Sequence, residues 1–264
     1  FCAAGGYSEA GPEGAEAEDQ LVALADELGI VLAGPNGQGV VSTPVGLCAQ
    51  IVAPFPTAGR IAVVSQSGNF VSSFLNYANQ TGVGISRAVS AGNAAAIGVA
   101  DYLEWFADDP ETEVALCYLE GLVDGRGFFE RVREVTRQMP VVVVKGGTTA
   151  GGQRAAASHT GSLANDDQIF DGMARQAGLV RAANIESAFE AAATFATQPL
   201  PAGNRIVVLS TAGGWGVVTA DAVTAHRDLD LTALPADLMA TIDNLVPPRW
   251  SRNNPVDLAG GETR

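Results

Sequence analysis

Lysine is almost absent from this chain: Lys145 stands alone against fourteen arginines in 264 residues. Histidine occurs only at His159 and His226, and cysteine only at Cys2, Cys48 and Cys117. The cysteines are odd in number and scattered, and none forms a CxxC pair. That excludes a disulfide framework or a cysteine-based zinc site and points to a reducing compartment. Aromatic residues make up only 6%, so a core must be built from Ala, Val, Leu and Ile. Positive charge is also scarce: the formal net charge is −14, and no Lys/Arg cluster interrupts it. Such a chain does not bind a nucleic-acid backbone. An anionic ligand would be held by backbone N–H groups instead of side-chain cations. No apolar run reaches the roughly 18 residues of a membrane span, and no charged segment precedes a signal-peptide core. The expectation is a soluble cytoplasmic protein without a membrane or nucleic-acid partner and without a metal site.

Hydrophobic residues, at 47%, are abundant enough for a large core. The length allows one large α/β domain or two smaller ones at about 100–200 residues each. From residue 59 the pattern alternates regularly. Strands are predicted at Ile61–Val64, Gly84–Val89, Val114–Leu119 and Val141–Val144, with a short one near Leu179. Helices are predicted at Asn69–Thr81, Ile97–Ala107, Gly127–Gln138, Asp166–Ala177 and Ile185–Ala196. Short apolar strands separated by helices imply a parallel sheet covered on both faces. In such a sheet ligands bind at the carboxyl ends of the strands.

Two boundaries flank this region. Pro54, Pro56 and Gly59 mark the first, and Gln198–Asn204, with Pro199 and Pro201, the second. Before the first, Phe1–Ala4 and Ile30–Ala33 read as strands around a helix at Ala15–Leu28. These are too few elements for an independent core, so the expectation is the tail of a larger domain. After the second, a strand at Arg205–Ser210 leads into a helix ending at Ala225. No internal repeat is evident.

The loop after Val141–Val144 holds the segment of most chemical interest, Gln153 to Leu163, which places His159 among small residues. Near pH 7 an imidazole is largely neutral and nucleophilic, able to accept an acyl or phosphoryl group; an ordinary surface turn is the alternative. Ser65-Gln66-Ser67-Gly68 lies at a strand-to-helix junction, where a helix N-terminus with hydroxyls makes an anion site or simply a Ser cap. Thr211-Ala212-Gly213-Gly214-Trp215-Gly216 is a second junction of this kind. Tyr118-Leu119-Glu120-Gly121 ends an apolar strand with a carboxylate, costly there unless exposed or partnered. Glu120 could orient His159 by accepting an imidazole N–H. His226, at a helix C-terminus, reads as structural. A serine-hydrolase elbow needs Gly two residues before its nucleophile, and both Ser65 and Ser67 lack it.

Taken in order, Gly34-Pro35-Asn36, Ser65-Gln66-Ser67-Gly68, Ser90-Ala91-Gly92-Asn93, Asp108-Asp109-Pro110-Glu111-Thr112, Tyr118-Leu119-Glu120-Gly121, Asp124-Gly125-Arg126 and Ser158-His159-Thr160-Gly161 resemble the NDP-forming acyl-CoA synthetase family, relatives of succinyl-CoA synthetase that include ADP-forming acetate–CoA ligases. The resemblance covers most of the chain. It implies an α/β fold of flavodoxin-like (succinyl-CoA synthetase-like) parallel-sheet domains plus the tail of a Rossmann-like CoA-binding domain. Residues 1–56 would be that tail, 59–200 the phosphohistidine domain, and 204–264 the start of a second flavodoxin-like ligase domain.

By the same resemblance His159 is transiently phosphorylated and Glu120 stabilises it. Ser65, Ser67 and Gly68 begin one phosphate-facing helix, and Gly213, Gly214 and Gly216 the other. Asn36, Ser90 and Asn93 lie toward the CoA and acyl end. The substrates implied are coenzyme A, a small carboxylic acid and ADP/ATP with Mg2+, the nucleotide and metal held on an ATP-grasp domain or beta subunit outside this sequence. An oligomer is implied, and this fragment alone would be inactive. Gly37-Gln38 stands where relatives often carry Cys, and Ala94-Ala95-Ala96 where they tend to be polar. Alternatives are a catalytically silent CoA-sensing module and a serine hydrolase using Ser67, His159 and Glu120.

Overall fold

The computed structural model describes residues 1–51, 54–154 and 166–260. The chain divides into two compact units, Phe1–Pro199 and Leu200–Arg264. In the first, helix α1 (Pro12–Glu27) precedes a hairpin of β1 (Gly39–Ser42) and β2 (Leu47–Gln50). The alternating region follows: β3 (Ala58–Ser65), α2 (Gly68–Thr81), β4 (Ile85–Ser90), α3 (Val99–Asp108), β5 (Val114–Leu119), α4 (Gly125–Val135), β6 (Val141–Lys145), α5 (Asp167–Gln176), β7 (Val180–Ala182) and α6 (Ile185–Thr197).

Seven strands form one sheet in the order β2-β1-β4-β3-β5-β6-β7. Strands β4, β3, β5, β6 and β7 run parallel; β1 is antiparallel to β4, and β2 is antiparallel to β1 at the sheet edge. Every residue of β5 and β6 is buried, as near-continuous apolar strands require when both faces are covered. Side chains alternate across the pleat. Ala62, Val64, Cys117 and Val143 pack against α3, α4 and α5, while Val63, Leu116, Val142 and Val144 pack against α2 and α6. Helix α2 buries Val71, Phe74, Leu75 and Ala78, the i, i+3, i+4, i+7 stripe of an amphipathic helix. It stops at Gly82, whose φ of 75° is the left-handed conformation that glycine adopts without a Cβ penalty.

The alternating elements lie within a few residues of the predicted ones, and the fold is the flavodoxin-like parallel sheet expected. Three predicted strands fail, and one hairpin was not foreseen. Phe1–Ala4 and Ile30–Ala33 are not strands: Cys2 N donates to Ala33 O at 2.8 Å and Asn36 N to Ala4 O at 2.9 Å, but no ladder connects them. The β1–β2 hairpin has no counterpart in the sequence reading, because its strands are short and its loop, Thr43–Gly46, resembles any Pro/Gly turn. The predicted strand Arg205–Ser210 is broken.

That break belongs to the second unit. There β8 (Arg205–Ile206) pairs in parallel with β10 (Asp230–Leu231), and β9 (Leu209–Ser210) with β11 (Val256–Asp257). Helix α7 (Gly213–Ala225) follows β9, and α8 (Ala236–Asp243) follows β10. Between β8 and β9 the buried Asn254 amide replaces a strand neighbour. Its oxygen accepts from Val208 N at 2.9 Å, and its nitrogen donates to Ile206 O and Thr232 O at 2.8 Å each. Among the described residues, no helix is long and apolar enough to cross a membrane.

Candidate functional site

The strand order creates one place where chemistry can gather. From β3 the chain crosses to β4 on one side, then returns over β3 to β5 on the other. Connections therefore diverge between the carboxyl ends of β3 and β5, the topological switch point at which open α/β sheets bind ligands. Ser65-Gln66-Ser67-Gly68 leaves β3 at that point and Glu120-Gly121 leaves β5.

Gln66 joins the two. Its Oε1 accepts from Glu120 N at 2.6 Å and Gly121 N at 3.3 Å, and its Nε2 donates to Gly121 O at 3.1 Å. Its own N–H donates to Tyr118 O at 3.2 Å. One amide thus continues the β3–β5 ladder past the last paired residues, Ser65 and Tyr118. This role is not legible in the sequence. A glutamine between two serines looks like part of a turn, and only the adjacency of β3 and β5 makes it a bridge.

Ser65 is fully buried. Its hydroxyl donates to Ser67 O at 2.6 Å and accepts from Ser67 N at 3.0 Å. It therefore shapes the loop from behind, while Ser67 and Gly68 begin α2. Ser67 makes no side-chain cap bond to α2. Asp124, Asp166 and Asn184, by contrast, cap α4, α5 and α6 with their side chains. An N-terminal turn not consumed by its own cap residue suits an anion. A Cβ on Gly68 would lie 2.2 Å from Gln38 Cδ, so the glycine keeps the Gln38 side chain against this loop.

Glu120 is buried, 7% exposed. The Tyr118 hydroxyl hydrogen-bonds to its carboxylate; burial first, and then this anion, push the phenol up to about 12. A phenol so placed stays protonated and donates. Gly146 leaves the room it needs, since a Cβ there would lie 2.5 Å from the Tyr118 hydroxyl. Lys145, also buried, supports Glu120 from below: its Nζ donates to Glu120 O at 2.8 Å and to Gly146 O. Burial, reinforced by the like charge of Arg181, lowers its pKa, while Asp167 and Glu120 oppose that shift. In the sequence Lys145 stands out only by its rarity; its position places an amino group against the backbone carbonyl of the strand-end Glu120.

His159, with Ser158, Thr160 and Gly161, lies outside the described residues. Asn36 and Asn93 do come together, Asn36 Nδ2 donating to Asn93 Oδ1 at 3.2 Å. Asn93 Nδ2 in turn donates to Ser8 Oγ at 3.1 Å, Glu9 Oε2 at 2.6 Å and Glu18 Oε2 at 2.7 Å. Asn36 has a φ of 59°. Ser90 is buried, its hydroxyl accepting from Gln38 N at 2.9 Å. It holds the loop that carries Asn36. Gly92 allows the two loops to meet, because a Cβ on it would lie 2.1 Å from Pro35 O.

In the second unit Ser210 repeats the Ser65 device. Its hydroxyl donates to Ala212 O at 2.7 Å and accepts from Ala212 N at 3.1 Å. Gly213 then faces Asp257, and a Cβ there would come within 2.6 Å of Asp257 Oδ2. Gly216 faces Pro255 and Gly214 faces open space. His226 closes α7 and accepts at Nδ1 from Asp228 N at 3.3 Å, a structural position.

The model of the succinyl-CoA ligase like flavodoxin domain matches residues 58–195, the region built around this switch point. The chain belongs to that family. A ligase-CoA domain model matches residues 206–264. Among curated relatives, the alpha subunit of acetate–CoA ligase [ADP-forming] I from Pyrococcus furiosus is 40% identical over 255 residues, 97% of this chain and 55% of the relative. 4-Hydroxybutyrate–CoA ligase [ADP-forming] from Nitrosopumilus maritimus is 34% identical over 261 residues, 97% of this chain and 37% of the relative. A solved structure of dinucleotide forming acetyl-coenzyme A synthetase 1 from Ca. Korarchaeum cryptofilum, in complex with phosphate and ADP, superposes with a TM-score of 0.91 at 36% identity, covering 98% of this chain and 56% of that one. The chain thus spans about half the length, or less, of the relatives it matches.

Proposed function

We propose that this chain is the CoA- and phosphoryl-handling part of an ADP-forming acyl-CoA ligase, converting acyl-CoA, ADP and phosphate reversibly into acid, CoA and ATP. The observation that carries the reading is the bridge from Gln66 to Glu120 at the β3–β5 switch point. It holds a buried carboxylate beside a helix start whose cap residue leaves the first turn open. Relatives of 34–40% identity named as ADP-forming CoA ligases support it.

Phosphate oxygen attacks the thioester carbonyl, the C–S bond breaks, and CoA leaves as its thiol after protonation. His159 then attacks phosphorus of the acyl phosphate; the P–O bond to the acyl group breaks and the acid leaves as carboxylate. Finally the phosphoryl group passes from His159 to ADP. Glu120 accepts the imidazole N–H and offsets the positive charge of the phosphorylated ring. Ser67 and Gly68 present the start of α2 to the phosphoryl oxygens, and Gly213, Gly214 and Gly216 make the start of α7 a phosphate-binding turn of its own. Positioning and fixed dipoles supply most of the catalysis in phosphoryl transfer.

Residues 1–56 serve as the end of a CoA-binding domain with Asn36, Ser90 and Asn93 near the acyl end, 59–200 as the phosphohistidine domain, and 204–264 as the start of the second ligase domain. ADP and Mg2+ are held by an ATP-grasp domain or subunit, within an oligomer. Incubating the enzyme, complete with its ATP-grasp part, with [γ-32P]ATP is expected to label His159 in an acid-labile, base-stable linkage. Undiminished labelling of His159→Ala would overturn the assignment.

A further inference from the structure

Both main-chain groups of Glu120 are held by side chains from the neighbouring strands. Gln66, just after β3, takes its N–H. Lys145, the last residue of β6, donates from Nζ to its carbonyl oxygen at 2.8 Å. Lys145 is the register partner of Leu119, and Gly146 N donates to Leu119 O at 2.8 Å. The amine therefore grips the chain one residue beyond the end of the β5–β6 ladder.

The same amine has two further contacts. It donates to Gly146 O, where the chain sets out from β6 toward His159. It also lies 5.8 Å from the ring centroid of Phe170, within range of a cation–π contact. Phe170 is buried in α5, the helix that the chain enters after His159. Arg181, in β7, stands 5.5 Å from the same ring centroid and pairs with Asp167 at 2.6 Å and Asp171 at 3.1 Å, both in α5. The start of that helix is thereby fixed on the sheet.

An ammonium has three hydrogens to donate. The contacts of Lys145 are two carbonyls and a ring, all uncharged. A buried charge is costly, and an apolar side chain often replaces one without loss of stability. What an apolar side chain could not supply is a joint between three points of the chain.

We infer that Lys145 is a positioning residue for phosphoryl transfer: it locks the strand end bearing Glu120 to Gly146 and α5, the two points between which the chain carries His159. The inference rests on the proposed function, in which Glu120 and His159 act together. A carboxylate and an imidazole must meet at hydrogen-bond distance, and a misplacement of about 1 Å can cost about a hundredfold in rate.

The test uses the enzyme complete with its ATP-grasp part. Phosphoenzyme formation from [γ-32P]ATP is followed in a single turnover, beside steady-state kcat and KM. Lys145→Met is expected to slow labelling and lower kcat by about tenfold, with KM for ATP and CoA held within about twofold. In a Glu120→Gln background the same change is expected to cost less than about threefold, because the joint then has no carboxylate to place. A general loss of stability would instead lower both backgrounds by one factor. Where circular dichroism shows Lys145→Met unfolded, Lys145→Gln, which offers two N–H donors to the carbonyls, is read in its place. Wild-type rates, a raised KM with kcat unchanged, or equal factors in the two backgrounds overturn the inference and leave the proposed function standing. Wild-type enzyme that takes no label at His159 overturns both.

Discussion

Two strand-to-helix junctions in this protein share one local design and differ in what surrounds it. At Ser65-Gln66-Ser67-Gly68 and at Ser210-Thr211-Ala212-Gly213, a strand-end serine clamps the backbone two residues on, and a glycine opens the helix. In the first junction the serine is fully buried and the next residue, Gln66, reaches across to β5. In the second, Thr211 is exposed, and the buried amide that organises the strands is Asn254, 43 residues farther on. The same turn can therefore be a rigid part of a central sheet or the rim of a small unit. What differs is the neighbouring strand, not the motif.

The largest effect expected from this contrast comes from the residue after the serine. Gln66→Ala leaves Glu120 N, Gly121 N and Gly121 O without their partner. At about 1–3 kcal/mol for each unsatisfied buried group, chemical denaturation should show a loss of roughly 3 kcal/mol or more. Thr211→Ala should stay within about 0.5 kcal/mol, as exposed positions do. Equal losses at both sites would erase the distinction.

The next effect depends on pH and belongs to the first junction only. Tyr118 has its folded pKa raised to about 12 from 10.0. The folded state therefore holds this proton over a range in which the unfolded chain has lost it. The associated stability is complete below pH 10 and is lost as pH rises through 12, by roughly 2–3 kcal/mol. Tyr118→Phe should flatten that part of the stability curve relative to wild type. A parallel curve would show that Tyr118 does not carry the raised pKa that burial and Glu120 give it.

Smaller still is the serine pair. Ser65→Ala should cost about 1–3 kcal/mol, because a buried loop loses its clamp. Ser210→Ala, half-buried, should cost under about 1 kcal/mol, and thermal melts of the two variants would reverse the comparison if Ser210 proved the costlier. The smallest effect is at the glycines. Gly214 has nothing within 4 Å of an added Cβ. Gly214→Ala should be neutral or stabilise by up to about 1 kcal/mol through lower unfolded-state entropy, whereas Gly68→Ala must displace Gln38 and should destabilise. Stabilisation at Gly68 would show that Gln38 moves freely.

Much of this was legible in the chain. The strands β3, β5 and β6 announce themselves as apolar runs, and α2 as a stripe ending at Gly82, because burial on two faces or one leaves a periodic trace. The Ser/Gly junctions were legible as helix starts, and Glu120 as a charge at a strand end. The hairpin at 39–50 was not: four-residue strands carry too little periodicity, and the β4 residues that pair with β1 are 45 or more positions away. Gln66 and Lys145 were visible as residues but not as parts of a site, since their bonding partners lie 54 and 25 positions away.

By itself, then, the amino-acid order determined the α/β alternation, the positions of the turns, and the small-residue openings of α2 and α7. These depend on dihedral preference and side-chain period, which act over a few residues. Only the tertiary structure decided that β5 lies beside β3, that a switch point therefore forms there, and that Gln66 and Lys145 hold Glu120 in it. Those are long-range pairings, selected by the burial of whole strands and helices against each other, and no local signal encodes which strand becomes the neighbour.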